Sequence, residues 1–167
     1  GRTGPRGEPG ELYVRGYSVM KGYWGEPEKT NEVIDDARWM HTGDIAVIDD
    51  GGWCDIVGRS KDVVIRGGEN IYPREVEEFL HRHASVQDVQ CVGVPDATFG
   101  EELCACIIAV PGAALDEAAL REFCVGEIAH YKVPRYFRFV DQFPMTVTGK
   151  VQKFALRERM SAELSSS

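Results

Sequence analysis

The sequence predicts an α+β protein, with a β-rich front over residues 1–58 and a small α/β domain over residues 59–167 that combines a mixed sheet with about three helices. Three observations carry this expectation. Up to Gly58 the apolar residues come in short alternating groups broken by Gly, Pro and Asp. From Pro73 onward, stretches with helical spacing interleave with near-continuous apolar runs of strand length. Between them lies GRSKDVVIRGGENIYP (58–73), a polar joint followed by the signature of a β-hairpin.

Taken in order, GRTGPRGEPG (1–10) is rich in Gly and Pro and reads as loop. Glu11 to Arg15 alternates like a short strand and stops at Gly16. Tyr23-Trp24-Gly25 makes an aromatic turn, and Thr30 to Asp36 reads as a short helical piece after Pro27. Trp39 to Asp44 leads into a strand at Ile45–Ile48. Asp49-Asp50-Gly51-Gly52 forms a hairpin turn, and Trp53 to Val57 is the returning strand. This front has a thin core for its length and would be marginal alone, so it is expected to be the β-rich end of a larger domain.

In the joint, Gly58 to Asp62 is too polar to be core. Val63-Val64-Ile65 suits a strand, Gly67-Gly68 supplies the positive φ angles of a tight turn, and Pro73 opens a helix. Val76, Phe79, Leu80 and His83 mark that helix's apolar face. Val89–Val94 and Leu103–Val110 read as strands covered on both faces. Asp116 is an N-cap for a helix whose stripe is Leu120, Phe123, Cys124 and Ile128. Arg135–Val140 reads as a strand, Thr146–Lys150 as a polar loop, and Leu156, Met160 and Leu164 as the face of a last helix.

Composition narrows the function classes. The 167 residues are 43% hydrophobic and 28% charged, ordinary for a globular chain. No apolar run approaches the roughly 18 residues of a membrane span. A net charge of −8 argues against general nucleic-acid or membrane binding. Between Tyr131 and Met160, however, seven basic residues face two acidic ones, a net of +5 that leaves −13 for the remainder. A basic end on an acidic chain suits a small polyanion such as a nucleotide or coenzyme A; a solvated helix face produces the same counts. Five cysteines without a C-x-x-C pair read as core thiols of a reducing compartment, and the histidines give no metal spacing, so no metal site is assigned.

Candidate chemistry sits in three places. Thr42-Gly43-Asp44 puts a carboxylate at the start of a strand, where it can accept two hydrogen bonds from adjacent hydroxyls such as a ribose diol; an ordinary turn aspartate has the same pattern. Gly67 and Gly68 suit either a turn or a passage where a ligand approaches bare backbone. Lys150 follows Gly149 between a strand and a helix, where a long cationic stem could reach a cleft.

GRSKDVVIRGGENIYP, together with WMHTGD (39–44) and PMTVTGKVQK (144–153), resembles the motifs of the adenylate-forming enzymes: acyl-CoA synthetases, non-ribosomal adenylation domains and beetle luciferases. The resemblance covers essentially the whole chain and the C-terminal third of a family member. It implies a boundary at residue 58: residues 1–58 as the incomplete end of the large adenylation domain, residues 59–167 as a small lid domain. It further implies that Asp44 and Arg59 hold the ribose of ATP, that Lys61 is the pivot of domain alternation, and that Lys150 is the catalytic lysine of adenylation. Gly67 and Gly68 would flank the pantetheine channel, with Phe99, Tyr131 and Arg135 near the nucleotide of CoA. Val133 stands where some relatives carry a basic residue.

By this resemblance the chain is the C-terminal part of an acyl-CoA synthetase, most similar to the medium- and long-chain fatty acyl-CoA ligases. The implied substrates are a fatty acid, ATP and CoA, with Mg²⁺ accompanying ATP but not bound by this chain. The implied partner is its own N-terminal domain, the compartment cytoplasmic, or the mitochondrial matrix for a eukaryotic source. A second enzyme reading passes the acyl group to a carrier-protein thiol or oxidises it. A non-catalytic module with the same fold is the third.

Overall fold

The computed structural model describes residues 3–165. The chain divides into two compact units, Gly1–Lys61 and Asp62–Ser167.

The first unit is a three-stranded antiparallel sheet in the order β1 (Gly10–Val14), β2 (Met40–Ile48), β3 (Cys54–Arg59), with helix α1 (Pro27–Val33) in the β1–β2 connection. Its core is thin. Among its described residues only Ile34 and Ala46 are buried hydrophobics, while Tyr17, Trp24 and Trp53 are largely exposed. Two expectations shift here. β2 begins at Met40 rather than Ile45, because β1 supplies partners for Met40 and His41 that no apolar pattern announces. β3 runs on through Gly58 and Arg59, which pair with Ile45 and Asp44, so the polar joint shortens to the 3₁₀ turn Ser60–Asp62. Helix α1 starts at Pro27, where a proline fits the first turn, and ends when Ile34 bridges to Met40.

The second unit is built on β7 (Gly100–Ala109). It pairs antiparallel along its whole length with β6 (Val86–Asp96), so β4 (Val64–Arg66) and β8 (Tyr136–Phe139) share its other edge: β4 at Gly100, β8 in parallel register at Cys104–Ile107. β5 (Glu69–Ile71) pairs with β4 at the rim. Alternation along β7 feeds two cores. Leu103, Ala105 and Ile107 join Val76, Phe79 and Leu80 of α2 (Pro73–Leu80) and Leu120 and Cys124 of α3 (Glu117–Cys124). Cys104 and Cys106 join Leu156 and Met160 of α4 (Lys153–Ser165) and Phe143. The mixed sheet is therefore covered on both faces, and the three helices match the expected number.

Pro73 opens α2 as anticipated, and Asp116 caps α3 by accepting the Ala119 N–H at 2.8 Å. His83 lies beyond the end of α2; its Nδ1 accepts the Ser85 N–H at 3.2 Å and its ring meets the Phe123 ring edge-on. β6 and β7 are longer than the apolar runs that marked them, since apolarity reports only the doubly covered middle of a strand.

Leu156→Ala, which removes a fully buried side chain under β7, is expected to lower unfolding free energy by about 2–5 kcal/mol. Phe154→Ala, on the exposed side of the same helix, should change it by less than about 0.5 kcal/mol. Denaturant unfolding of the two variants checks the contrast.

Candidate functional site

In the first unit, Asp44 and Arg59 are register partners on β2 and β3. Arg59 Nε donates to Asp44 Oδ1 at 2.8 Å and its Nη2 to the Thr42 carbonyl at 3.4 Å. Gly43, at φ 70°, turns the backbone so that the Thr42 hydroxyl both accepts the Asp44 N–H and donates to the Leu12 carbonyl. Asp44 thus lies within a strand rather than at its start. One carboxylate oxygen is engaged by a guanidinium and the other has no partner among the described residues. The pair is half-exposed, so it adds little stability. It is better suited to orient a carboxylate toward a diol than to hold the sheet together.

Lys61 lies exposed in the turn Ser60–Asp62, and the division between the two compact units falls directly after it.

In the second unit, Gly67 and Gly68 form the β4–β5 turn with φ 58° and 92°, the two positive angles that a two-residue hairpin turn of this hand requires. A Cβ on Gly68 would meet open space, whereas one on Gly67 would lie 3.1 Å from Phe99 Cδ1. The bare backbone of the turn is exposed.

Lys150 is exposed on a turn closed by its own hydrogen bonds. Met145 bridges Val151, the Thr146 N–H donates to the Lys150 carbonyl at 2.8 Å, and the Lys150 N–H donates to Thr146 Oγ1 at 3.0 Å. Gly149 is needed for its φ of 79°, and nothing in the chain crowds it. The Gln152 side chain pins the turn further through the Met145 carbonyl.

The basic end does not survive folding as a patch. Lys132 pairs with Glu75, Arg138 with Glu163, Lys153 with Glu77 and Arg157 with Glu101. Among the described residues, Arg135, Lys150 and Arg159 are the members of that group without an ion pair. These pairings span up to 76 positions in sequence, which is why local charge counting missed them.

Phe99 lies in the turn between β6 and β7. Asp96 Oδ1 accepts the N–H groups of Thr98 and Phe99, each at 2.8 Å, and the Phe99 carbonyl accepts the Gly67 N–H at 2.9 Å. Arg135 donates its backbone N–H to the Leu103 carbonyl, and its charge acts on Asp96. Phe99 and the glycine turn are therefore neighbours. Tyr131 sits in a 3₁₀ turn beside β5, its ring packed on the α2–α3 core and flanked by the Lys132 ammonium. Val133 also packs on that core, which accounts for an apolar side chain there.

Two residues that pattern reading did not single out belong to this neighbourhood. Arg66 Nε donates to Glu102 Oε2 at 2.7 Å, and the Arg66 guanidinium lies 4.2 Å from the Phe99 ring centroid. The hydrogen bond to Glu102 raises the Arg66 pKa further, keeping it charged. The available signal was Glu101-Glu102 at the head of an apolar run.

Cys54 is exposed, but the buried Cys91, Cys106 and Cys124 play no such part. Burial raises the Cys91 thiol well above its ordinary value and pushes Cys124 up to about 11, and the Cys104 contact with burial raises Cys106. Such thiols stay protonated and inert. Among the described residues no cluster of three or more His, Cys, Asp or Glu side chains could hold a metal.

The N–H groups of Phe99 and Thr98 hold the Asp96 carboxyl below the ordinary aspartate value of 3.8. Its contribution to the Phe99 turn is therefore complete above that value and disappears only as pH falls through the lower folded pKa. Titration of the Asp96 carboxyl carbon by NMR should give a midpoint below 3.8, and Thr98→Pro, which deletes one donor, should move it upward.

Residues 75–150 match the AMP-binding enzyme C-terminal domain. The medium-chain acyl-CoA ligase ACSF2, mitochondrial, of Rattus norvegicus is 57% identical over 156 residues, which are 93% of this chain and 25% of that protein. The crystal structure of ATP-bound MatB from Rhodopseudomonas palustris superposes with a TM-score of 0.87 at 41% identity, covering 94% of this chain and 31% of that one. Apo MatB from the same organism scores 0.67 at 42% identity, covering 95% of this chain and 32% of that one. The chain spans about a quarter of the length of the curated relatives it matches. On sequence and fold alike, the chain belongs to the adenylate-forming, AMP-binding enzymes, as a C-terminal portion that includes their C-terminal domain.

Proposed function

We propose that the chain is the C-terminal part of an AMP-forming acyl-CoA ligase. Residues up to the joint complete a large adenylation domain, and the remainder acts as its lid. In the first half-reaction a carboxylate oxygen of a fatty acid attacks the α-phosphorus of ATP, the bond to the β-phosphate bridging oxygen breaks, and pyrophosphate leaves. In the second, the sulfur of CoA attacks the acyl carbonyl, AMP departs with the ester oxygen, and the thiol proton passes to solvent.

The observation that carries this reading is the pairing of two unlike features on separate loops of one unit. Lys150 stands exposed on an ordered turn, without an ion pair among the described residues, and a turn of two glycines exposes bare backbone. Two anions meet in the first half-reaction, and a cation fixed between them lowers the barrier. A thiol on a narrow arm must pass close to backbone in the second, which glycine permits. Asp44, oriented by Arg59, would take the ribose hydroxyls. Lys61, exposed where the two compact units meet in sequence, is the residue about which the lid would turn, a hinge needing few contacts in either position. Phe99, Tyr131 and Arg135 would line the CoA nucleotide, and Mg²⁺ would accompany ATP without ligands from this chain. A medium- or long-chain fatty acid is the proposed substrate, in line with the name of the rat relative. Five free cysteines suit a reducing compartment, cytoplasm or mitochondrial matrix; no helix among the described residues is long and apolar enough to cross a membrane.

In the full-length gene product, Lys150→Ala should reduce ATP–pyrophosphate exchange by about 10²–10³-fold while sparing thioester formation from supplied acyl adenylate. Gly68→Leu should do the reverse. Loss of the same step in both variants overturns the two-face reading, and holo-carrier protein outperforming CoA would redirect the acceptor. The 167-residue chain by itself should turn over no acid.

A further inference from the structure

Glu102, at 3% exposure, is the only buried charged side chain among the described residues. Burying a carboxylate is costly, and where stability is all that matters an apolar pair of similar volume serves as well or better. Its partner therefore calls for a geometric reason. That partner is Arg66, the residue immediately before the glycine turn.

The carboxylate accepting from Nε restrains the guanidinium, whose central carbon lies over the Phe99 ring, 4.2 Å from its centroid. The main chain of Phe99 is tied on both sides, by Asp96 to its N–H and by the Gly67 N–H to its carbonyl. The Cδ1 edge of the ring abuts Gly67. Arg66 lies over the ring and Gly67 meets its Cδ1 edge, yet Phe99 stays 40% exposed. An aromatic ring held this firmly yet left partly exposed is a stacking surface.

We infer that the Glu102–Arg66 pair is a positioning device that sets the Phe99 ring at the mouth of the glycine turn as a stacking platform for the nucleobase end of the thiol-bearing cosubstrate. The inference rests on the ligase reading and adds to it that Arg66 and Glu102, which need touch no substrate, govern affinity for the nucleotide end of CoA but not chemistry at its thiol end.

The test uses the full-length enzyme with supplied acyl adenylate and two acceptors, CoA and pantetheine, the latter lacking the nucleotide. Arg66→Met should raise KM for CoA about tenfold, a typical base-stacking effect, with kcat for CoA within about twofold and pantetheine turnover unaltered. Glu102→Gln should act in the same direction, and Arg66→Lys, which keeps the charge but not the plane, serves if Glu102→Gln fails to fold. Equal losses on CoA and pantetheine, or no change on either, overturn the inference. Amide exchange at Gly67, whose N–H bonds to Phe99, provides a readout free of catalysis. It should quicken in Arg66→Met even if the wild-type enzyme proves to use neither acceptor, an outcome that would sink the ligase reading alone; unchanged exchange would sink the positioning claim.

Discussion

Everything in the second unit depends on one strand being occupied on all four sides. β7 is paired on both edges and packed on both faces, so its middle can hold only small or apolar side chains: Leu103 through Ile107 are all fully buried. Chemistry is consequently displaced to its ends and borders. The glycine turn hangs from its first residue, the Phe99 turn precedes it, and the Lys150 turn feeds the helix that covers one of its faces. A frame this closed resists deformation, which suits loops that, on the proposed reading, present one cation and one stretch of bare backbone in fixed places.

Ionic ties join that frame to its loops alongside the apolar packing of Val64, Ile71 and the helices. Neighbouring carboxylates at the head of β7 reach β4 separately: Glu101 accepts the Ile65 N–H at 2.9 Å and pairs with Arg157 of α4, while Glu102 takes Arg66. Gly93 on β6 makes the room, since a Cβ there would sit about 3.1–3.2 Å from Val64 and Glu101. On α2, Glu77 accepts both the Cys91 N–H and the Lys153 ammonium. β4 has a single register partner on β7, so these side chains do what a longer ladder would otherwise do. A buried, hydrogen-bonded ion pair is sensitive to geometry in a way that apolar contact is not, and that is why such a pair can set the angle of an aromatic ring.

Much of the fold was legible because its signals are local. Two glycines flanked by β-branched residues specify a hairpin, Pro73 and Asp116 mark helix starts through their own backbone chemistry, and continuous apolarity over Val89–Val94 and Leu103–Val110 announces strands covered twice. Errors gathered where partners are distant. Met40 and His41 are strand only because β1 pairs with them, and Gly58 and Arg59 only because β2 does. The candidate site divided in the same manner. Asp44 and Arg59 stand in motifs and pair across β2 and β3, whereas Arg66 and Glu102, 36 positions apart, share no pattern that could pair them.

The amino-acid order alone determined the kinds of element, the places of the turns, and the residues whose chemistry is written into a short motif, because backbone propensity and side-chain alternation act within a few positions. Only the tertiary structure decided which charges remain available. Four of seven cations in a basic stretch are taken by carboxylates drawn from the rest of the unit, and Lys150 is left without such a partner. Coulombic pairing depends on distance in space, and the chain acquires those distances only when its sheet closes.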